Sequence, residues 1–161
     1  MNYKTILAGL FAAAALLVSA GASAQTPYGM PITLEQAKKA MTAAEAEAKK
    51  NNWNVVIAIV DSGGNMVMLQ RLDNAQFGSI KVATEKAHGS AAFRRPTVAF
   101  QDLIAQGGVH LRLLNITGDA SVFEGGVPIV VDGKLIGAIG VSGVTSQQDA
   151  QIAQAGANAL K

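Results

Sequence analysis

The chain has no cysteine. That excludes disulfides, thiolate zinc sites, iron–sulfur clusters, a cysteine nucleophile and any prosthetic group hung on a C-x-x-C-H motif. Stability must therefore come from a packed core. There are only two histidines. His88 and His110, with carboxylates, methionines and tyrosines, are the side chains left to hold a transition metal. Charge is sparse and nearly balanced, at 13 Lys and Arg against 11 Asp and Glu. Such a balance argues against a nucleic-acid or acidic-membrane partner. The chain also lacks a G-x-S-x-G elbow, an H-E-x-x-H pair and a G-x-x-x-x-G-K-[ST] phosphate loop, so hydrolase and nucleotide-dependent chemistry have no support.

The one long apolar run is N-terminal. Lys4 precedes Ile6 to Val18, and Ala22-Ser23-Ala24 forms an A-x-A cleavage site. This is the pattern of an export signal over residues 1–24, too short for a membrane span. Cleavage before Gln25 would leave about 137 residues, the size of one domain, with no membrane contact. Residues 25–32 are expected to be a linker and 33–161 the domain.

Thr33 with Gln36 fits a capping box and opens a helix whose stripe is Leu34, Ala37, Met41, Ala44 and Ala48. Lys49-Lys50 and Asn51-Asn52 end it. Val55 to Val60 is a six-residue apolar run and predicts a central strand. Asp61 to Asn65 predicts a turn, and Met66 to Leu69 a return strand. A second helix is expected from Ser79 to Phe93, burying Ile80, Ala83, Ala87 and Ala91, with Lys81, Glu85 and His88 along another face. Arg94-Arg95-Pro96 breaks it, and Thr97 is placed to cap a short third helix. His110 to Ile116 fits a strand or a helical turn. Val127 to Val131 and Lys134 to Val141 flank Asp132-Gly133, a strong type I′ hairpin signal. Gly137 and Gly140 mark close approach by another backbone or a ligand. Thr145 or Ser146 caps the last helix. Tight hairpins imply antiparallel pairing. Strands apolar on both faces need helices on both sides, which predicts an α/β fold with three α/β/α layers.

Several motifs together resemble one family. They are Phe123-Glu124-Gly125-Gly126-Val127-Pro128, Ile136 to Gly143, and Gln148-Asp149 before an alanine-rich helix. Lys86-Ala87, Ala91 to Thr97, and Val60-Asp61 with Gly63-Gly64 add to them. From about Leu34 to the C-terminus the chain is similar to the GlcG/HbpS-like proteins, related to the C-terminal domain of PduO-type corrinoid adenosyltransferases. The resemblance implies a profilin-like fold with a five-stranded antiparallel sheet, homo-oligomers, and periplasmic or secreted haem binding, sometimes with haem degradation.

Haem is flat and apolar with two carboxylates, so it needs a slot, apolar walls and cations at one rim. His88 is a candidate axial ligand, as is His110. Lys81, Arg94 and Arg95 are candidates for the propionates, arginine meeting them bidentately. Phe93 and Phe123 can supply walls, while Gly125, Gly126, Ser142 and Gly143 permit close approach. Each has a plainer alternative: His88 beside Glu85 on a half-exposed helix, His110 as a loop histidine, the glycine loops as shapes for strand entry. Met66 and Met68 are expected on one strand face and in the core. Asp61 and Glu124 are the carboxylates to consider for acid–base work, or turn residues. The expected function is an exported haem-binding protein, more binder than catalyst. The alternatives are an enzyme or accessory acting on a small glycolate- or corrinoid-related metabolite, and a purely structural oligomer.

Overall fold

A computed structural model describes residues 25–161 apart from Thr117 and Asp119. The expected export signal lies outside the described residues. The elements are α1 (Leu34–Lys50), β1 (Val56–Asp61), β2 (Met66–Arg71), α2 (Ser79–Phe93) and α3 (Val98–Ala105). A 3₁₀ helix (Gly108–Ile116), β3 (Gly126–Val131), β4 (Lys134–Ser142) and α4 (Ser146–Asn158) follow.

Local chemistry explains most boundaries. Thr33 and Thr145 each close a capping box, with Gln36 and Gln148, satisfying first-turn N–H groups. Asp132 and Gly133 have φ of 49° and 72°, as a type I′ turn between β3 and β4 requires. His110 falls in the 3₁₀ helix, not in a strand. Thr97 does not cap α3 through its side chain. Its Oγ1 accepts from Gly126 N at 2.9 Å, and its own N–H donates to Gly126 O at 3.0 Å. The hydroxyl serves the start of β3 instead.

The sheet order is β2-β1-β4-β3, and every pairing is antiparallel. The described residues thus form four strands where the resemblance implied five. The stretch expected as a linker lies against the start of β4 instead. Leu135 N donates to Pro27 O at 2.8 Å, Gly29 N to Leu135 O and Ile32 N to Ile136 O at 2.7 Å each. Tyr28 makes a single parallel bridge with Leu135. Pro27 and Pro31 lack donors, so this segment cannot extend a ladder.

β1 alternates its side chains between two cores. Val55, Ile57 and Ile59 join Ile129, Ile139 and Val141 under α1 and α4. Val56, Ala58 and Val60 join Ala138 under α2. Helices therefore cover both faces, giving the three layers. In α1 the buried residues start at Ala37; Leu34, in the first turn, is exposed.

On the α2 face Gly126 and Gly140 are a cross-strand pair. A Cβ at Gly140 would fall on the backbone of Ala83 and Ala87, and one at Gly126 on that of Lys86. The helix backbone lies directly on this glycine pair. This seating turns Ala83, Ala87 and Ala91 inward, and leaves Ile80 38% exposed rather than buried.

Candidate functional site

β2 is an edge strand with a bulge. Ile59 pairs with Met68 but Val60 pairs with Met66, so Val67 is the extra residue. A bulge shifts the side-chain alternation by one. Met68 therefore packs toward α1, with the core that holds Ile59. Met66 faces the α2 side beside Val60 and is 44% exposed. The two methionines do not share a face, and Met66 is not core.

That turn of Met66 builds one wall of a pocket of about 280 Å³, lined also by Val60, Gly64, Thr84, Glu85 and His88. His88 Nδ1 lies 3.1 Å from Gly64 O. A carbonyl only accepts, so Nδ1 carries the hydrogen, and the neutral tautomer this bond selects is the one with its lone pair on Nε2. Gly64 is itself fixed. Asp61 Oδ1 accepts from Gly63 N at 2.8 Å and Asn65 N at 2.9 Å, and Gly64 N donates to Asp61 O at 3.0 Å. Desolvation pushes the Asp61 carboxyl up, but the hydrogen bonds from Asn65 and Gly63 outweigh it, and the group sits below its ordinary value. Asp61 is thus a turn residue that orients His88 indirectly. Glu85 pairs with Lys81 at 3.6 Å, and His88 takes the Gly64 carbonyl instead.

The other predicted residues lie elsewhere. Arg94 has left-handed backbone (φ 52°) at the end of α2. Its guanidinium stands 4.9 Å over the Tyr28 ring and bonds Gln25. Arg95 donates to Phe93 O and lies 6.0 Å from the Phe100 ring. Phe93 packs edge-on against Phe100 at 5.2 Å. His110 sits in the 3₁₀ helix, its N–H on Gly107 O. Phe123 is 55% exposed, and Glu124 N–H is bonded to the Gln101 side chain. Ser142 Oγ bonds Ser79 Oγ at 3.1 Å, in the interior. Gly143 packs on Asn54 and Val55. At Gly126 and Gly143 the close approach is made by the protein's own backbone, while Gly125 and Gly126 also line a cavity of about 190 Å³ with Pro96 and Gln154.

The sequence reading also missed a buried ion pair. Lys86 Nζ lies 2.8 Å from Asp149 Oδ2 and donates to Val141 O at 2.9 Å, with both side chains at most 3% exposed. Val144 N–H bonds the other carboxylate oxygen at 3.2 Å. Burial pulls the Lys86 ammonium below its ordinary value, with Asp149 opposing. Burial likewise pushes the Asp149 carboxyl up, with Lys86 opposing. Gly125, at φ 124°, faces the pair, and a Cβ there would stand 2.7 Å from Lys86 Nζ. The available signal was spacing: Lys86 stands three residues after Ala83 and four before Ser90, on the helix face that meets the sheet.

Among the described residues no group of three or more His, Cys, Asp or Glu is placed to hold a metal ion. No described helix is long and apolar enough to cross a membrane.

Comparison with known proteins adds the following. A family model described as haem degrading protein HbpS-like matches residues 32–158. The chain is 40% identical to protein GlcG of Escherichia coli K12 over 112 residues, 69% of this chain and 81% of GlcG. It is 33% identical over 113 residues to the corrinoid adenosyltransferase PduO of Salmonella typhimurium, covering 70% of this chain but 34% of PduO. Among solved structures, a PduOC:heme complex superposes with a TM-score of 0.76 at 28% identity, over 82% of this chain and 96% of that one. HbpS of Streptomyces reticuli, in a doubly substituted form, superposes with a TM-score of 0.74 at 32% identity, over 83% and 89%.

Proposed function

Because the chain belongs to the HbpS-like family, we propose that it is an exported protein that binds haem reversibly, for storage, scavenging or sensing, with His88 as the iron ligand. The observation that carries this reading is the His88 ring, held through Nδ1 by Gly64 O in a pocket walled by Val60 and Met66. An imidazole with a free Nε2 and a fixed plane suits ligation to iron, and apolar walls suit a porphyrin. The group bound there would supply an iron centre. The chain's own part is to orient the imidazole, through the Asp61 turn, and to shield one side of the ring from water.

The PduOC:heme structure supports the ligand class. Export is supported by the tripartite leader over residues 1–24, and assembly into homo-oligomers by the resemblance. Haemin titration tests the reading. A Soret shift that saturates at one equivalent is expected, and His88→Ala should move the band. A wild-type spectrum that stays that of free haemin would remove the reading. Export is checked by the intact mass of exported material, expected to begin at Gln25; a mass that retains Met1 to Ala24 would refute cleavage.

A further inference from the structure

We propose, resting on the haem reading above, that the porphyrin extends from His88 along the uncovered flank between β2 and α2, and that Arg71 holds a propionate at the far end. The pairing Val60–Met66, Ala58–Leu69 and Val56–Arg71 puts Met66, Leu69 and Arg71 on the sheet face that α2 serves. Yet α2 is seated over β1, β4 and β3, so among the described residues this part of the face stays open. Met66 is 44% and Leu69 41% exposed. The helix presents a matching stripe. Ile80, Thr84 and His88 recur every fourth residue, and Thr84 and His88 line the same pocket as Met66. Ile80 is 38% exposed, and Phe77, just ahead of α2, is 78% exposed. Solvent-facing apolar residues thus recur on both walls of the flank, the kind of surface a flat apolar ligand covers. From Ile80 to His88 the helix runs about 12 Å, so a ring centred on His88 meets Arg71 where the propionate arm and the arginine side chain reach toward one another.

The charge is complementary as well. Arg71 is exposed and has no ion pair among the described residues. Its guanidinium is held over the Phe77 ring at 5.0 Å, with one N–H on Ala75 O at 3.2 Å. The remaining donors of the fork suit a carboxylate. Arg94 and Arg95 are engaged elsewhere, as described above, and Arg71 is the guanidinium that the strand register places on this flank.

Haemin and haemin dimethyl ester, whose propionates carry no charge, are the two probes. The wild type should prefer haemin by about tenfold or more, the range of a charge-assisted pair. Arg71→Leu should abolish that preference without moving the Soret band, and Arg71→Lys should restore part of it. Phe77→Glu should weaken both probes. If Arg71→Leu keeps wild-type affinity and discrimination, the proposal is overturned while haem binding stands. If Phe77→Glu changes the solution mass and leaves both titrations untouched, a second copy covers the flank and the proposal falls. If the wild type gives no Soret shift at all, it is the haem reading that has failed.

Discussion

Helix α2 meets the sheet in two different ways. Over β3 and β4 its backbone rests on the Gly126–Gly140 pair, and Lys86 plunges into the interior against Asp149. Over β2 it touches little: Thr84 and His88 share an open pocket with Met66, and Ile80 and Leu69 are part exposed. On the first side the protein's own backbone fills the space over the glycine pair. The second has room because the sheet is one strand wider than the helix covers. The closed side fixes the helix, and a fixed helix lets a half-exposed histidine hold one orientation.

If that division is right, substitutions on the closed side should cost stability, and those on the open side should cost binding. The largest effect is expected from Lys86→Met alone. It strands a buried carboxylate, which costs about 3–5 kcal/mol. Adding Asp149→Leu should recover much of that loss, since a buried pair replaced whole is often neutral. Urea unfolding of the two variants checks both statements. Gly140→Val comes next. Overpacking costs about 1–3 kcal/mol, and the collision here is with helix backbone, which gives little. Gly133→Ala is the control on the exposed turn, at about 1 kcal/mol. Equal midpoints for these two glycine variants would break the picture of a helix seated on glycine. His88→Ala should lower stability by only about 1 kcal/mol, the worth of one hydrogen bond, while moving the Soret band.

The smallest effect expected is a pH dependence. Asp61 titrates below its ordinary value of 3.8 in the folded chain. A carboxylate with a depressed folded pKa stabilises fully above its unfolded value, and that contribution is lost as pH falls through the folded one. Asp61→Asn should therefore flatten the fall in stability below about pH 4, measured as thermal midpoints across an acid series.

Much of this architecture was legible beforehand, for local reasons. Capping boxes, an Asp-Gly turn and a proline break are written within four residues of where they act, so α1, α2, α4 and the β3–β4 hairpin fall where expected. The site was less legible because two of its determinants are not local. The bulge at Val67 has no residue signature, and simple alternation put Met66 on the wrong face. Gly125-Gly126 and Ser142-Gly143 look like openings in a linear reading. Only packing reveals that Lys86, Thr97 and Val55 occupy the space they leave. His88 was nameable as a candidate, since histidines are so few; its partner was not, because Gly64 stands 24 residues away across the sheet.

The strand order also sets a schedule for folding. β1 with β2, and β4 with β3, are local hairpins that can zip within microseconds. The central pair is different: Ile59 meets Ile139, about 80 residues further along the chain, and that closure costs loop entropy before any contact repays it. Until it happens, each hairpin is a two-stranded ribbon with too little buried surface to persist alone. α2 lies between the hairpins in the chain and lands on residues from both, on Ala58 of one and Gly140 of the other. It is therefore the natural clasp of the folding nucleus, and substitutions at Ala83 or Ala87 should slow folding, whereas those at Phe77 or Leu69 should leave the folding rate alone.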